Sequence, residues 1–197
     1  MNLPNRITLA RIILIPFVIF FYLATFIPYC KLFSLVLFLI AIFTDFLDGY
    51  LARKLGQVST LGVFLDTIAD KMLTLSIFAL ILCTNAVSQP IGVVSFIIVL
   101  CRELIVSALR QLAASKNVVI MADMWGKVKA NFQFFTIAFF LLLEFLTFNL
   151  ALEGTIVVIV EAICYVLLGL TVASTLLSGV HYMVKNRAVF KEEKANS

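Results

Sequence analysis

Charge is scarce in this sequence: only 13% of its 197 residues are Asp, Glu, Lys or Arg. A water-soluble surface carries about twice that share, so a chain bathed in water on every side is excluded. Histidine occurs once, at His181, with no partner at metal-ligand spacing, and reads as an interfacial polar residue. The four cysteines, Cys30, Cys83, Cys101 and Cys164, lie far apart in or beside apolar stretches and form no C-x-x-C pair. Disulfide frameworks and zinc sites are set aside on that ground, and the cysteines read as small buried hydrophobes. No cleavable signal peptide is expected, because the first apolar run, Ile12–Cys30, is too long for a signal h-region and has no A-x-A-like exit. Fixed-period repeats and low-complexity tracts are lacking. So is the water-exposed basic groove that would turn nineteen Phe residues into a nucleic-acid platform, and no nucleic acid is expected as a partner.

Apolar residues dominate instead, at 63% of the chain, with a mean hydropathy of +1.12. About 20 apolar residues in a helix cross the hydrocarbon core of a bilayer. Six such helices are predicted, giving an all-α, polytopic membrane protein. They run over about 5–27 (with Pro16 a candidate kink), 31–53, 60–84, 91–114, 123–148 and 155–182. Asn85, Gln89, Pro90 and Gly92 are read as breaking the stretch between the third and fourth, and Asp123 as the N-cap of the fifth. A six-helix transmembrane domain is expected over 1–184, followed by a charged cytoplasmic tail over 185–197.

The basic residues set the orientation. Arg6, Arg11, Arg53, Lys54, Arg110, Lys116, Lys127, Lys129, Lys185, Arg187, Lys191 and Lys194 all fall on one side of the predicted topology. The other side has only Lys31, with acidic Glu144 and Glu153 nearby. Both termini are therefore expected to face the cytoplasm.

Acids are few but concentrated. Four of the five Asp residues, Asp45, Asp48, Asp66 and Asp70, fall within 26 positions inside predicted helices. Charge in a membrane helix is costly and marks function, and four adjacent carboxylates repel unless cations neutralise them. Asp45, Asp48, Gly49, Ala52 and Arg53 recur at i, i+3, i+4, i+7 and i+8, while Gly62, Asp66 and Asp70 repeat every four residues. Each set lines one face of its helix. A short cytoplasmic loop makes the two helices antiparallel neighbours, so both Asp pairs should lie at similar depth. An all-oxygen donor set favours Mg²⁺ or Mn²⁺ over zinc, and two ions on four carboxylates suit a pyrophosphate substrate. Gly49, Ala52 and Gly62 would admit a ligand or a neighbouring backbone.

The pattern Asp45-x-x-Asp48-Gly49-x-x-Ala52-Arg53, eight residues, then Gly62-x-x-x-Asp66-x-x-x-Asp70 resembles the signature of the CDP-alcohol phosphotransferases. Further stretches resemble one branch, the bacterial phosphatidylglycerophosphate synthases. They are Asn2-Leu3-Pro4-Asn5-Arg6-Ile7-Thr8-x-x-Arg11, Arg102-Glu103-Leu104-Ile105-Val106-Ser107-x-Leu109-Arg110, and Trp125-Gly126-Lys127-Val128-Lys129 with Gln133. The chain departs from the branch at Thr67, where Pro is usual, and at Ala130, where Thr is usual.

The resemblance implies that Asp45, Asp48 and Asp66 are metal ligands. Asp70 would stand at the edge of the metal site as general base toward the acceptor hydroxyl. It places Asn5, Asp48, Gly49, Ala52, Arg53, Gly62 and Asp66 around the cytidine diphosphate. Arg102, Arg110, Lys127 and Lys129 become candidates for holding the phosphate of glycerol 3-phosphate, although anchoring to anionic lipid would also account for them. The implied reaction moves a phosphatidyl group from CDP-diacylglycerol to glycerol 3-phosphate, in the cell membrane, by a homodimer. The alternatives are another acceptor (inositol phosphate, serine or phosphatidylglycerol) or, in a different class, a divalent-cation transporter. Glu161, an isolated intramembrane acid, is left without a role.

Overall fold

A computed structural model describes residues 3–54, 60–83, 87–115 and 124–187. The elements are α1 (Leu3–Leu23), α2 (Cys30–Lys54), α3 (Thr60–Cys83), α4 (Gln89–Ser115), α5 (Met124–Glu144), a π-helical turn (Phe145–Asn149) and α6 (Thr155–Lys185). The expected six helices are present, and no strand occurs among the described residues. Five of them are apolar enough, over at least 18 residues, to cross a membrane. The sixth, α3, has the length, at 24 residues, but Asp66, Asp70 and Lys71 fall within every such stretch of it.

The surface is that of a multi-pass membrane protein. Phe26, Phe43, Phe46, Phe64, Ile156 and Val166 are exposed, whereas Arg11, Ser34, Thr136, Thr171 and Thr175 are fully buried. Water would drive the opposite distribution. In lipid the apolar side chains already have a matching solvent, and the polar ones find partners only inside the bundle. Thr136 and Thr171 do so across α5 and α6, their hydroxyls 2.8 Å apart.

α1 packs chiefly on α2 and next on α3, α5 packs on α6, and α2 lies against α5, which joins the two halves. Ile15, Val18 and Tyr22 of α1, Phe38 of α2, Ile77 of α3 and Phe140 of α5 share one core. A smaller cluster of Val106, Leu109 and Tyr182 ties α4 to α6.

Several boundaries differ from expectation. α1 ends at Leu23, four residues early, because the chain turns at once: Ala24 N donates to Phe20 O (2.8 Å) and Ile27 N to Ala24 O (3.0 Å). Pro28 follows, with no N–H to continue a helix, and Tyr29 sits at φ 56°. Gln89, Pro90 and Gly92 do not precede α4 but form its first turn, where a proline costs no hydrogen bond. A side chain at Gly92 would meet Leu82 O at 3.3 Å, so this glycine lets α4 approach α3. α5 passes into the π-helical turn rather than staying α-helical to 148. α6 runs a turn beyond expectation, to Lys185, and Asn186 closes it by donating Nδ2 to Tyr182 O at 2.8 Å. Cys30 and Cys164 are buried, but Cys101 is exposed on α4. The lipid-facing side of a helix accepts a small apolar thiol as readily as the interior does. Asn85, the proposed cap Asp123, and the tail from residue 188 lie outside the described residues.

Candidate active site

The expected direct pairing of α2 with α3 is not what the described residues show: both helices pack on α1 rather than closely on one another, and their acids stand in matched register across it. Asp48 lies six residues before the end of α2 and Asp66 six residues after the start of α3. At 1.5 Å per residue, both sit about 9 Å in from their helix ends. Asp45 and Asp70 lie one turn deeper, on α2 and α3 respectively. Carboxylate oxygens of Asp45, Asp48 and Asp66 fall within 4.8 Å of one another. Asp48 is buried, Asp45 half-buried and Asp66 exposed, so the cluster opens on one side. Asp70 lies outside the three-residue group but within electrostatic reach of Asp45, Asp66, Lys129 and Glu103. It thus interacts with both the acids and the basic residues.

α1 supplies what the sequence reading missed. Arg11, fully buried, donates Nη1 to Asp45 Oδ1 and Nη2 to Asp48 Oδ2, and its Nη1 lies 3.4 Å from Asp66 Oδ1. Thr8 donates Oγ1 to Asp48 Oδ2 at 2.9 Å. Asn5 is buried one turn earlier. The spacing Asn5-x-x-Thr8-x-x-Arg11 was the available signal, since it sets three polar groups on one face of an apolar helix. In the sequence Arg11 belongs to the positive-inside set and to the Asn2–Arg11 stretch of the resemblance, neither of which assigns it a place among the acids.

Gly49 has open space beside it: a Cβ there would meet nothing within 4 Å. Tight helix packing therefore does not explain this glycine. Gly62 is half-buried in the first turn of α3. Ala52 and Arg53 belong to α2 by backbone, but their side chains lie outside the described ones.

The four basic residues do not form one group. Glu103 gathers two of them: Lys129 of α5 donates Nζ to Glu103 Oε1, and Arg102 Nη1 lies 3.1 Å from the same oxygen. Arg102 also donates Nη2 to Ser178 Oγ (2.6 Å). Its side chain passes Gly126 and Gly179, and a Cβ at Gly179 would meet Arg102 Cγ at 3.2 Å. Arg110, two turns further along α4, donates Nε to Tyr182 Oη at 3.2 Å. Lys127 is exposed. Lys71, adjacent to Asp70 and absent from the sequence-based set, donates Nζ to Ser107 Oγ, which in turn donates to Glu103 O (2.6 Å). His181 is exposed, its ring 6.3 Å from that of Trp125, and Glu161 is exposed on α6.

Residues 1–172 match the profile of the CDP-alcohol phosphatidyltransferases. The chain belongs to that family. A CDP-diacylglycerol–glycerol-3-phosphate 3-phosphatidyltransferase of Bacillus subtilis (strain 168) is 37% identical, over 96% of this chain and 97% of its own length. A protein of the same description from Rickettsia bellii is 31% identical, over 92% of this chain and 93% of its own. One from Haemophilus influenzae reaches 41% over 67% of this chain and 71% of its own. Among the described residues, Asp45, Asp48 and Asp66 offer a divalent cation a ligand set: their hard carboxylate oxygens converge, and one side of the cluster is open.

Proposed function

We propose that the protein transfers a phosphatidyl group from CDP-diacylglycerol to glycerol 3-phosphate, giving phosphatidylglycerol phosphate and CMP. One observation carries this reading. Three converging carboxylates and a largely buried Glu103–Lys129–Arg102 ion cluster are linked by Asp70, which interacts electrostatically with members of both. A reaction joining a pyrophosphate donor to a phosphorylated alcohol needs that pairing of an acidic and a basic pocket.

Asp45, Asp48 and Asp66, with Asp70 at their edge, would hold two Mg²⁺ or Mn²⁺ ions. When bound, such ions neutralise the pyrophosphate oxygens and stabilise the departing CMP. The open side of Gly49, together with Ala52 and Gly62, lets the diphosphate approach α2 and α3 closely. Asn5 and Arg53 bind the nucleotide. The acyl chains stay in lipid, alongside the exposed apolar faces of the bundle.

Of the four basic residues, Arg102 and Lys129, which share Glu103, bind the acceptor phosphate, with bidentate contacts available to the arginine. Glu103 holds Lys129 and Arg102 in place until then. Asp70 accepts the proton of the acceptor hydroxyl as its oxygen attacks the β-phosphorus, which carries diacylglycerol. The bond from that phosphorus to the bridging oxygen breaks in line, and the electron pair leaves with CMP. Alignment of hydroxyl and phosphorus contributes more to this step than the basicity of Asp70.

The domain spans 1–184 in the cell membrane with both termini cytoplasmic, and it functions as a homodimer. A panel of acceptors, offered to purified protein with CDP-diacylglycerol and Mg²⁺, tests the assignment. Glycerol 3-phosphate should give the fastest CMP release. Equal or faster release with serine or inositol phosphate would reassign the acceptor.

A further inference from the structure

Arg11 is a buried cation placed among groups that this family uses for metal. Its two Nη atoms engage Asp45 and Asp48, one of them also faces Asp66 at 3.4 Å, and the side chain has no exposed surface. Its Nε, also buried, has no hydrogen-bond partner. A guanidinium placed for general packing would satisfy all its donors, because a buried unpaired N–H is costly. Here three of the five N–H donors are aimed at carboxylates, and Nε is left without a partner. α1 packs on both α2 and α3, so the backbone positions of the acids do not depend on Arg11 alone.

We propose that Arg11 is a built-in counter-ion. It neutralises Asp45, Asp48 and Asp66 while the pocket holds no metal, and it competes with divalent cations for the same oxygens, which sets the affinity of the site. The proposal rests on the family reading for the presence of metal, and it adds the residue that tunes metal binding. Each oxygen turned to Arg11 is one less for an incoming ion, and a fixed positive charge raises the energy of a dication beside it. Without Arg11 the acids repel one another, so the empty protein loses stability while the loaded protein loses less. The difference appears as tighter binding.

The test compares wild type, Arg11→Lys and Arg11→Met in detergent. Mn²⁺ binding is followed by electron paramagnetic resonance, and thermal unfolding is measured with and without Mn²⁺. Arg11→Met should unfold earlier than wild type in EDTA, gain more from Mn²⁺, and bind it about tenfold more tightly. Arg11→Lys, which serves one carboxylate at a time, should fall between the two. If Arg11→Met can be purified only with Mn²⁺ present, that outcome supports the proposal. If it cannot be purified at all, Arg11→Lys decides: tighter Mn²⁺ binding than wild type supports the proposal, and equal or weaker binding overturns it. Unchanged or weaker Mn²⁺ affinity and an unchanged gain in thermal stability would overturn it and leave Arg11 a packing residue. Absence of Mn²⁺ binding by wild type would instead remove the metal reading itself.

Discussion

Lys129 of α5 and Glu103 of α4 form an ion pair whose side chains are only 6% and 15% exposed. A buried pair of this kind is costly to break on one side, since the surviving charge is left without compensation. Glu103→Gln should therefore lower stability by about 3 kcal/mol. Adding Lys129→Met should recover much of the loss. Thermal unfolding of the single and double variants in detergent measures both. Glycerol 3-phosphate should stabilise Glu103→Gln more than wild type, because its phosphate takes the vacated place beside Lys129.

Asp70 stands apart from the three converging carboxylates, so removing its charge should separate chemistry from binding. Asp70→Asn should cut turnover at least about 100-fold, the lower end of what a positioned base contributes. Mn²⁺ and CDP binding should stay within about threefold of wild type, since three oxygen donors remain. CMP release and Mn²⁺ titration on the same preparation check the two halves.

The open space at Gly49 separates a packing role from a ligand role. Gly49→Ala should stabilise α2 by about 0.5–1 kcal/mol, the usual gain in a helix interior. The same methyl group should raise KM for CDP-diacylglycerol. Steady-state kinetics with an unfolding curve tests both, and a variant less stable than wild type would restore the packing explanation.

At the opposite end of the bundle, Lys31 Nζ lies 3.2 Å from Glu144 Oε2 and 3.6 Å from the centre of the Tyr22 ring. The Lys31 amide also donates to Asn149 Oδ1 in the π-helical turn at 3.1 Å. This cluster latches α1 and α2 to α5 far from the chemistry. Glu144→Gln should lower thermal stability, since Lys31 is 7% exposed, while KM for both substrates stays at its wild-type value.

The helices and the acidic cluster were legible in the sequence for simple reasons. Uninterrupted apolar runs have one outcome in lipid, and four Asp at helical spacing on consecutive helices joined by a short loop can share a depth, although α1, not direct pairing of α2 with α3, brings them together. What the sequence hid is pairing between distant helices. Arg11 looked like one more positive-inside residue, because nothing local to α1 says that it meets Asp45 and Asp48 some 34 and 37 positions away. Glu103 likewise adjoins Arg102 in sequence, and nothing local to α4 says that it also meets Lys129, 26 residues on. Helix ends were misplaced where proline sat in a first turn, at Pro90, and where a turn began before the apolar run ended, at Ala24. In both places composition carried no signal of the backbone change.

The claim on which all of this depends is that carboxylates from α2 and α3 hold divalent cations in one pocket. Mn²⁺ titration of wild type, Asp45→Ala and Asp66→Ala tests it most directly, because one variant alters each helix. Wild type should bind Mn²⁺, and both variants should lose at least about tenfold in affinity, as loss of a single carboxylate ligand predicts. If Asp66→Ala binds Mn²⁺ as wild type does while Asp45→Ala does not, the two helices do not share a site, and the account is contradicted.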